Sequence, residues 1–365
     1  MKSDLELAKS LLSPPGDTLQ ETLEERGMSQ AELAERMGRP KEKLNDIIKG
    51  REPITTATAY QLEKVLGIPA SFWINREQEY RQELYELEQQ ERLEACTDWL
   101  RQFPVNVMRK MSWLPDTSKG HELVEAMLKF FGVASHEEWN RIYVHKEVSV
   151  AFRVSLAHTK SPHAVSAWLR MGELQTKGLQ VAAYDKKAFK QKLSDIKELA
   201  YTMPSDYADR LQAMCAECGV ALVYTPTLPK APISGATRWF HHKPLIQLSG
   251  RFKKDDHFWF TFFHEAGHIL LHGKKDIFLE NLEGTETDQE KEEEANEFSA
   301  RTLLSKIELN EIIRAHRFDE VSIQKFAEKF RTPPGVIVGQ LQRQGHIPYA
   351  ACNDLKQPID LFEKV

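Results

Sequence analysis

His264, Glu265 and His268 stand in the pattern H-E-x-x-H, written out as His264-Glu265-Ala266-Gly267-His268. Residues four apart on a helix share a face, so both imidazoles can reach one metal ion. The carboxylate of Glu265, beside the first histidine, is then placed to handle a proton of an attacking water. Apolar sequence surrounds the pattern, with Phe258-Trp259-Phe260-Thr261-Phe262-Phe263 before it and Ile269-Leu270-Leu271 after it. These flanks predict a buried helix, and Gly273 offers a C-terminal stop.

Two imidazoles do not complete a zinc site, which needs a third protein ligand. Glu292, Glu293 and Glu294 follow 24 to 26 residues after His268. They open a second helix whose apolar contacts are Ala295, Phe298 and Leu303. Glu292 lies one helical turn before Asn296, which suits a bound carboxylate with a polar neighbour. Glu294 shares a face with Phe298 and is the second choice. Acidic residues also favour helix N-termini simply as solvated charges.

Together with the downstream segment Glu292-Glu293-Glu294-Ala295-Asn296-Glu297-Phe298, the motif resembles the ImmA/IrrE family of bacterial metallopeptidases. The likeness runs from about residue 219 to residue 304, with an extension towards 355. It implies a zinc ion held by His264, His268 and Glu292, with Glu265 as catalytic acid and base. It also implies limited cuts in one protein substrate, often a repressor or an antitoxin. Where the family often ends its second helix with Leu-Leu-Met-Pro, this chain has Leu303-Leu304-Ser305-Lys306. That departure touches the helix exit and leaves the ligands untouched.

Two neutral imidazoles and one carboxylate leave Zn2+ with net positive charge and an open fourth position. Such a site polarises a peptide carbonyl, and Glu265 relays the proton to the leaving amine. A stabiliser of the tetrahedral intermediate is expected among Tyr143, His145, Arg238 and His241, none of them favoured. His272 extends the stripe of 264 and 268. Three imidazoles from so short a run of straight helix do not converge on one ion, so His272 is expected to support a ligand or cap the helix.

Residues 14–80 read as a compact helical module. One helix runs from about Thr18 to Arg26 and stops at Gly27. Ser29 caps a second, Gln30 to Met37, with Glu32 spaced for a capping box. After Gly38 a third spans about Pro40 to Lys49 and ends at Gly50. Leu33, Met37, Leu44, Ile47 and Ile48 fit one core, while Ala34 and Gly38 allow a close crossing and a tight bend. This is a helix-turn-helix whose last helix enters a DNA major groove. The DNA contacts expected are Gln30, Lys41, Lys43, Asn45 and Lys49. Pro15-Gly16, Ser29-Gln30-Ala31-Glu32-Leu33-Ala34, Gly50-Arg51-Glu52-Pro53-Ile54-Thr55 and Phe72-Trp73-Ile74-Asn75 resemble Xre-type regulators and, more closely, HigA-like antitoxins. Residues 14–80 carry nine Lys/Arg against twelve Asp/Glu. Phosphate neutralisation is therefore weak in one copy, and a homodimer on two half-sites of an operator is expected.

The whole chain has 365 residues and a formal charge of −5, which sets no global basic signature. Four cysteines build no disulfide framework, and Cys215 and Cys218 read as buried thiols. No leader-like apolar segment and no membrane span are visible, so a cytoplasmic protein is expected. Trp99, Trp113, Trp139 and Trp168 read as core of a helical middle region, with Arg170 and Glu173 as a structural pair. Strand character appears at residues 219–224 and 244–249, and residues 235–239 form the candidate edge strand that aligns a substrate. The last helices, 321–330 and 334–343, pack on the sheet or meet a partner. The fold class expected is mainly α (α+β): a helix-turn-helix domain over 14–80, a helical middle over 81–200 and a zincin-like domain with a small sheet over 201–355. Two functions fit. One is a DNA-binding regulator with a zinc endopeptidase. The other is a HigA-like antitoxin or repressor whose metal domain senses or binds a partner without proteolysis.

Overall fold

A computed structural model describes residues 4–144, 161–240, 242–272, 278–279 and 289–362. The elements in chain order are α1 (Asp4–Leu11), α2 (Pro15–Glu25), α3 (Gln30–Met37), α4 (Lys41–Ile48), α5 (Thr56–Leu66), α6 (Ala70–Ala95), α7 (Thr97–Leu100), α8 (Val105–Lys110), α9 (Gly120–Phe131) and α10 (His136–Tyr143). Then come α11 (Pro162–Thr176), α12 (Lys186–Thr202), α13 (Tyr207–Glu217), β1 (Ala221–Tyr224), β2 (Gly235–Phe240), β3 (Lys243–Leu248), α14 (Asp255–Leu271), β4 (Phe278–Leu279), α15 (Gln289–Leu303), α16 (Lys306–Ala315), α17 (Glu320–Phe330) and α18 (Pro334–Arg343). The chain divides into two compact units, residues 1–98 with 118–125 and residues 99–117 with 126–365.

In the first unit, Leu19, Leu23, Leu33, Met37, Leu44, Ile47, Leu62 and Trp73 close one core. The Ser29 hydroxyl accepts the Glu32 N–H at 3.1 Å and so starts α3. The reciprocal half of the expected capping box is absent from the described contacts, because Arg36 one turn on takes the Glu32 carboxylate at 2.5 Å. Gly38 and Gly67 end α3 and α5 in the left-handed region, with φ of 64° and 68°. Gly16 lies so close to the Ile48 backbone that any side chain there would collide with it. That contact lets the start of α2 meet the end of α4.

The second unit holds a four-stranded sheet in the order β1-β3-β2-β4. β1 and β3 are parallel, and β2 is antiparallel to both β3 and β4. The expected edge strand is therefore an inner one, since β4 pairs with it at Ala236 and Thr237. The pleat sends alternate β2 side chains to opposite faces. Thr237 faces α14, its hydroxyl 3.2 Å from the Glu265 carbonyl. Arg238 points the other way, donating to Gln247 Oε1 at 3.0 Å and to the Leu169 carbonyl of α11 at 2.6 Å.

α14 is apolar nearly all round, and a helix of that kind must be wrapped on every side. Phe258, Trp259, Phe262, Phe263, Ala266 and Ile269 meet Leu222, Ile246 and Leu248 of the sheet and Ile196, Leu199 and Leu211 of α12 and α13. α15 lies along α14, with the Ser299 hydroxyl donating to the Phe260 carbonyl at 2.8 Å. Cys215 and Cys218 are free buried thiols, and burial pushes the Cys215 thiol well up. Trp99, Trp139 and Trp168 are buried, and Arg170 pairs with Glu173 at 2.8 Å.

The last helices close a core of their own, and Val336 of α18 also joins the core between the sheet and α14. α17 and α18 close a separate core with α16, through Leu309, Ile312, Ile323, Ala327, Ile337 and Leu341. α16 starts with a full capping box, Ser305 with Glu308. The Ser305 that departs from the family ending thus supplies a cap of its own. The chain then returns to the start of α14. The Asp255 N–H donates to the Gln357 carbonyl at 2.9 Å, and Gln357 N–H donates to Asp255 Oδ1 at 3.0 Å. Among the described residues, no helix is long and apolar enough to cross a membrane.

Candidate functional site

His264 and His268 project from one face of α14 and are 1 % exposed. Their Nε2 atoms lie 2.9 Å apart. From the first turns of α15, Glu292 brings Oε2 to 3.1 Å from His264 Nε2 and Oε1 to 3.5 Å from His268 Nε2. One ligand atom from each of the three residues lies within 4.8 Å of the others. Ligands about 2.0–2.1 Å from a tetrahedral zinc sit about 3.3 Å from one another, and the observed separations straddle that value. The donor set therefore fits the ion that the H-E-x-x-H pattern implies.

The electrostatics agree with the geometry. Burial holds the His268 imidazole down to about 4, despite the Glu292 carboxylate beside it, so the ring is neutral near pH 7. A neutral His268 ring can bind a cation without first losing a proton. His264 Nδ1 lies 3.1 Å from Asn296 Oδ1, so its N–H points away from the cluster and Nε2 is left for the metal. Glu294, the second choice, does not reach the cluster. It turns to His272 Nε2 at 3.1 Å, and His272 Nδ1 lies 2.9 Å from His268 Nδ1.

Glu265 follows His264 and is fully buried. Gly235 faces it, and a Cβ at that position would stand 2.5 Å from Glu265 Oε1 and 2.7 Å from Thr261 Cγ2. Any residue other than glycine would crowd the carboxylate. Sequence reading gave Gly235 a place in a strand and missed this close approach. Its signal was a glycine opening a short β-rich run, which marks nearby backbone or ligand.

The candidates for oxyanion stabilisation fare differently. Arg238 lies on the far face of the sheet, with Glu173 3.9 Å from its Nε. Tyr143 packs on Trp139 and Phe131, and burial first, then Glu173, pushes its hydroxyl up to about 12. Both therefore belong to the structural layer behind the sheet. His145 and His241 lie outside the described residues, as does Gly273; α14 ends at Leu271 with His272 as its cap residue.

In the first unit, Lys41, Lys43 and Lys49 are exposed at α4 and its exit, and Asn45 is half-buried between them. Lys43 is engaged by Glu52 at 3.0 Å, and Arg51 lies 3.5 Å from Asp46. Gln30 opens α3 and donates to Gln20 Oε1 at 2.8 Å, tying α3 to α2.

Comparisons with known proteins match both units. Residues 215–341 match the peptidase M78 model, an IrrE N-terminal-like domain. Residues 19–73 match a helix-turn-helix model. Among solved structures, the chain is similar to an addiction module antidote protein of a HigA family from Coxiella burnetii. The identity is 27% over 23% of this chain and 92% of that one, with a TM-score of 0.21. None of the curated proteins compared with the chain matches it. The chain thus joins a helix-turn-helix DNA-binding domain to an IrrE N-terminal-like domain of the peptidase M78 family, whose matched span contains His264, His268 and Glu292.

Proposed function

We propose that this protein is a DNA-binding regulator carrying a zinc-dependent endopeptidase that makes limited cuts in one regulatory protein, such as a repressor or an antitoxin. The observation that carries the reading is the convergence of His264 Nε2, His268 Nε2 and the Glu292 carboxylate beside Glu265. When bound, Zn2+ polarises the scissile carbonyl and makes water a usable nucleophile near neutral pH. Glu265 then takes the proton of the attacking water and passes it to the leaving amine. Thr237 holds the backbone carbonyl of that residue through its hydroxyl. Lys41, Lys43, Asn45 and Lys49 supply phosphate and base contacts, and Gln30 braces the start of α3. A homodimer on two half-sites offsets the weak charge of each copy.

The test is incubation of the zinc-loaded protein with the products of its neighbouring genes. One discrete cut is expected with the natural protein and none with Glu265→Gln at equal zinc content. Equal behaviour of the two in cells would remove catalysis from the function. One observation favours a second reading: Glu265 is fully buried. On that reading the metal domain of a HigA-like repressor recognises a partner, and zinc serves the fold without turnover.

A further inference from the structure

We propose that Glu294 and His272 form a hydrogen-bond relay that fixes His268 as the tautomer with its proton on Nδ1, so that a bare Nε2 faces the metal. This rests on the metal reading above and extends it to residues that touch no substrate and no ion. They are positioning residues.

The direction of the relay follows from what each atom can do. An ionised carboxylate only accepts hydrogen bonds, so the 3.1 Å contact between Glu294 Oε2 and His272 Nε2 puts a proton on Nε2. In the neutral form that the proposal assigns to His272 the ring has one N–H, so Nδ1 accepts. The atom 2.9 Å from it is His268 Nδ1, which must therefore donate. His268 has no second proton to place, and its Nε2 carries a lone pair. Asn296 imposes the same state on His264 from the other side, through the 3.1 Å contact to Nδ1.

The consequence is a cluster of three lone-pair donors with no proton between them. The two Nε2 atoms stand 2.9 Å apart, and a carboxylate oxygen lies 3.1 Å from one of them. Such an arrangement is repulsive in a buried setting until a cation enters. The relay thus keeps the site in the protonation state that a metal requires. Its middle member is sheltered: the His272 side chain is 3 % exposed, whereas that of Glu294 is 55 % exposed and solvated. His272 can reach back because it is the cap residue of α14. Its backbone leaves the helix with φ −106° and ψ 172°, while its N–H still donates to the His268 carbonyl.

The experiment measures zinc affinity by chelator competition and the imidazole tautomers of the metal-free protein by long-range nitrogen-15 NMR. Outer partners of metal-binding histidines are worth about 10–100-fold in affinity. His272→Ala is expected to lose that much, with helicity and melting of the metal-free protein unchanged. His272→Asn sets an acceptor oxygen where Nδ1 stood and is expected to recover most of the loss. Glu294→Leu loses affinity and Glu294→Gln, still an acceptor, keeps it. The spectrum is expected to show His268 protonated on Nδ1 and His272 on Nε2. Wild-type affinity in His272→Ala, no recovery in His272→Asn, or a His268 proton on Nε2 would each overturn the relay. If the natural protein binds no zinc, the metal reading fails by itself, and the tautomer spectrum still decides the relay.

Discussion

The two units treat their polar residues in opposite ways. In the helix-turn-helix unit the core is mainly apolar, and the residues proposed to meet DNA stand outside it: Lys41, Lys43 and Lys49 are exposed. In the peptidase-like unit the chemistry is inside, with His264, Glu265 and His268 at most 1 % exposed. A surface site of the first kind costs folding almost nothing, because its charges keep their water. A buried site of the second kind carries a desolvation cost that bound metal and fixed hydrogen bonds must offset. Function and stability are therefore separable at α4 and coupled at α14.

The largest expected effect tests that coupling. Glu292→Gln removes the charged ligand, and zinc affinity should fall by roughly a thousandfold or more. Added zinc should then no longer raise the melting temperature, as calorimetry would read, while DNA binding stays intact. A helix-turn-helix core change reverses the pattern. Leu44→Ala should cost about 2–5 kcal/mol in denaturant unfolding of the first unit and abolish DNA binding, leaving zinc affinity unchanged.

Next comes the buried carboxyl at the start of the metal helix. Burial first, then neighbouring Asp256, raises the Asp255 carboxyl to about 7. A folded value above the unfolded one means that the folded state prefers the protonated form. Stability therefore falls as pH rises from about 4 to about 7 and levels off above. Asp255→Asn keeps an acceptor for the Asp256 and Gln357 N–H groups without the charge. It should stabilise the protein by about 2 kcal/mol at pH 8, with the gain gone near pH 4, in melts across that range.

Smaller effects belong to the surface. Ser29→Ala should cost about 1 kcal/mol by removing the cap of α3. Lys41→Ala should leave stability unchanged and lower the salt slope of operator binding by about 1. Lys43→Ala should do less, because Glu52 already engages that ammonium. Equal slopes for the two variants would contradict this ranking.

The same contrast explains what could be read from the chain. Local signals carried the first unit: Ser29 before an apolar helix and glycines at 38 and 50 mark ends that the structure repeats. The metal motif was equally local, because helical spacing alone places His264 above His268. Glu292 and Glu294 lie about 200° apart around a helix, and either orientation was open until the Ala295, Ser299 and Leu303 face was seen buried. The choice left open at Arg238 has the same origin. Which face of β2 it takes depends on register with β3, and no residue within the strand states that register.

Nothing in residues 351–362 announced a role, because their partner Asp255 is about a hundred positions earlier. The region that matches the peptidase model stops at 341. A fragment trimmed to that limit would discard Gln357 and the buried Ile359, which clasp the entrance of the metal helix. It would strip a carboxylate of its backbone donor and bare an apolar flank. Any recombinant version of this domain should therefore keep the tail, or its insolubility will be mistaken for a property of the whole protein.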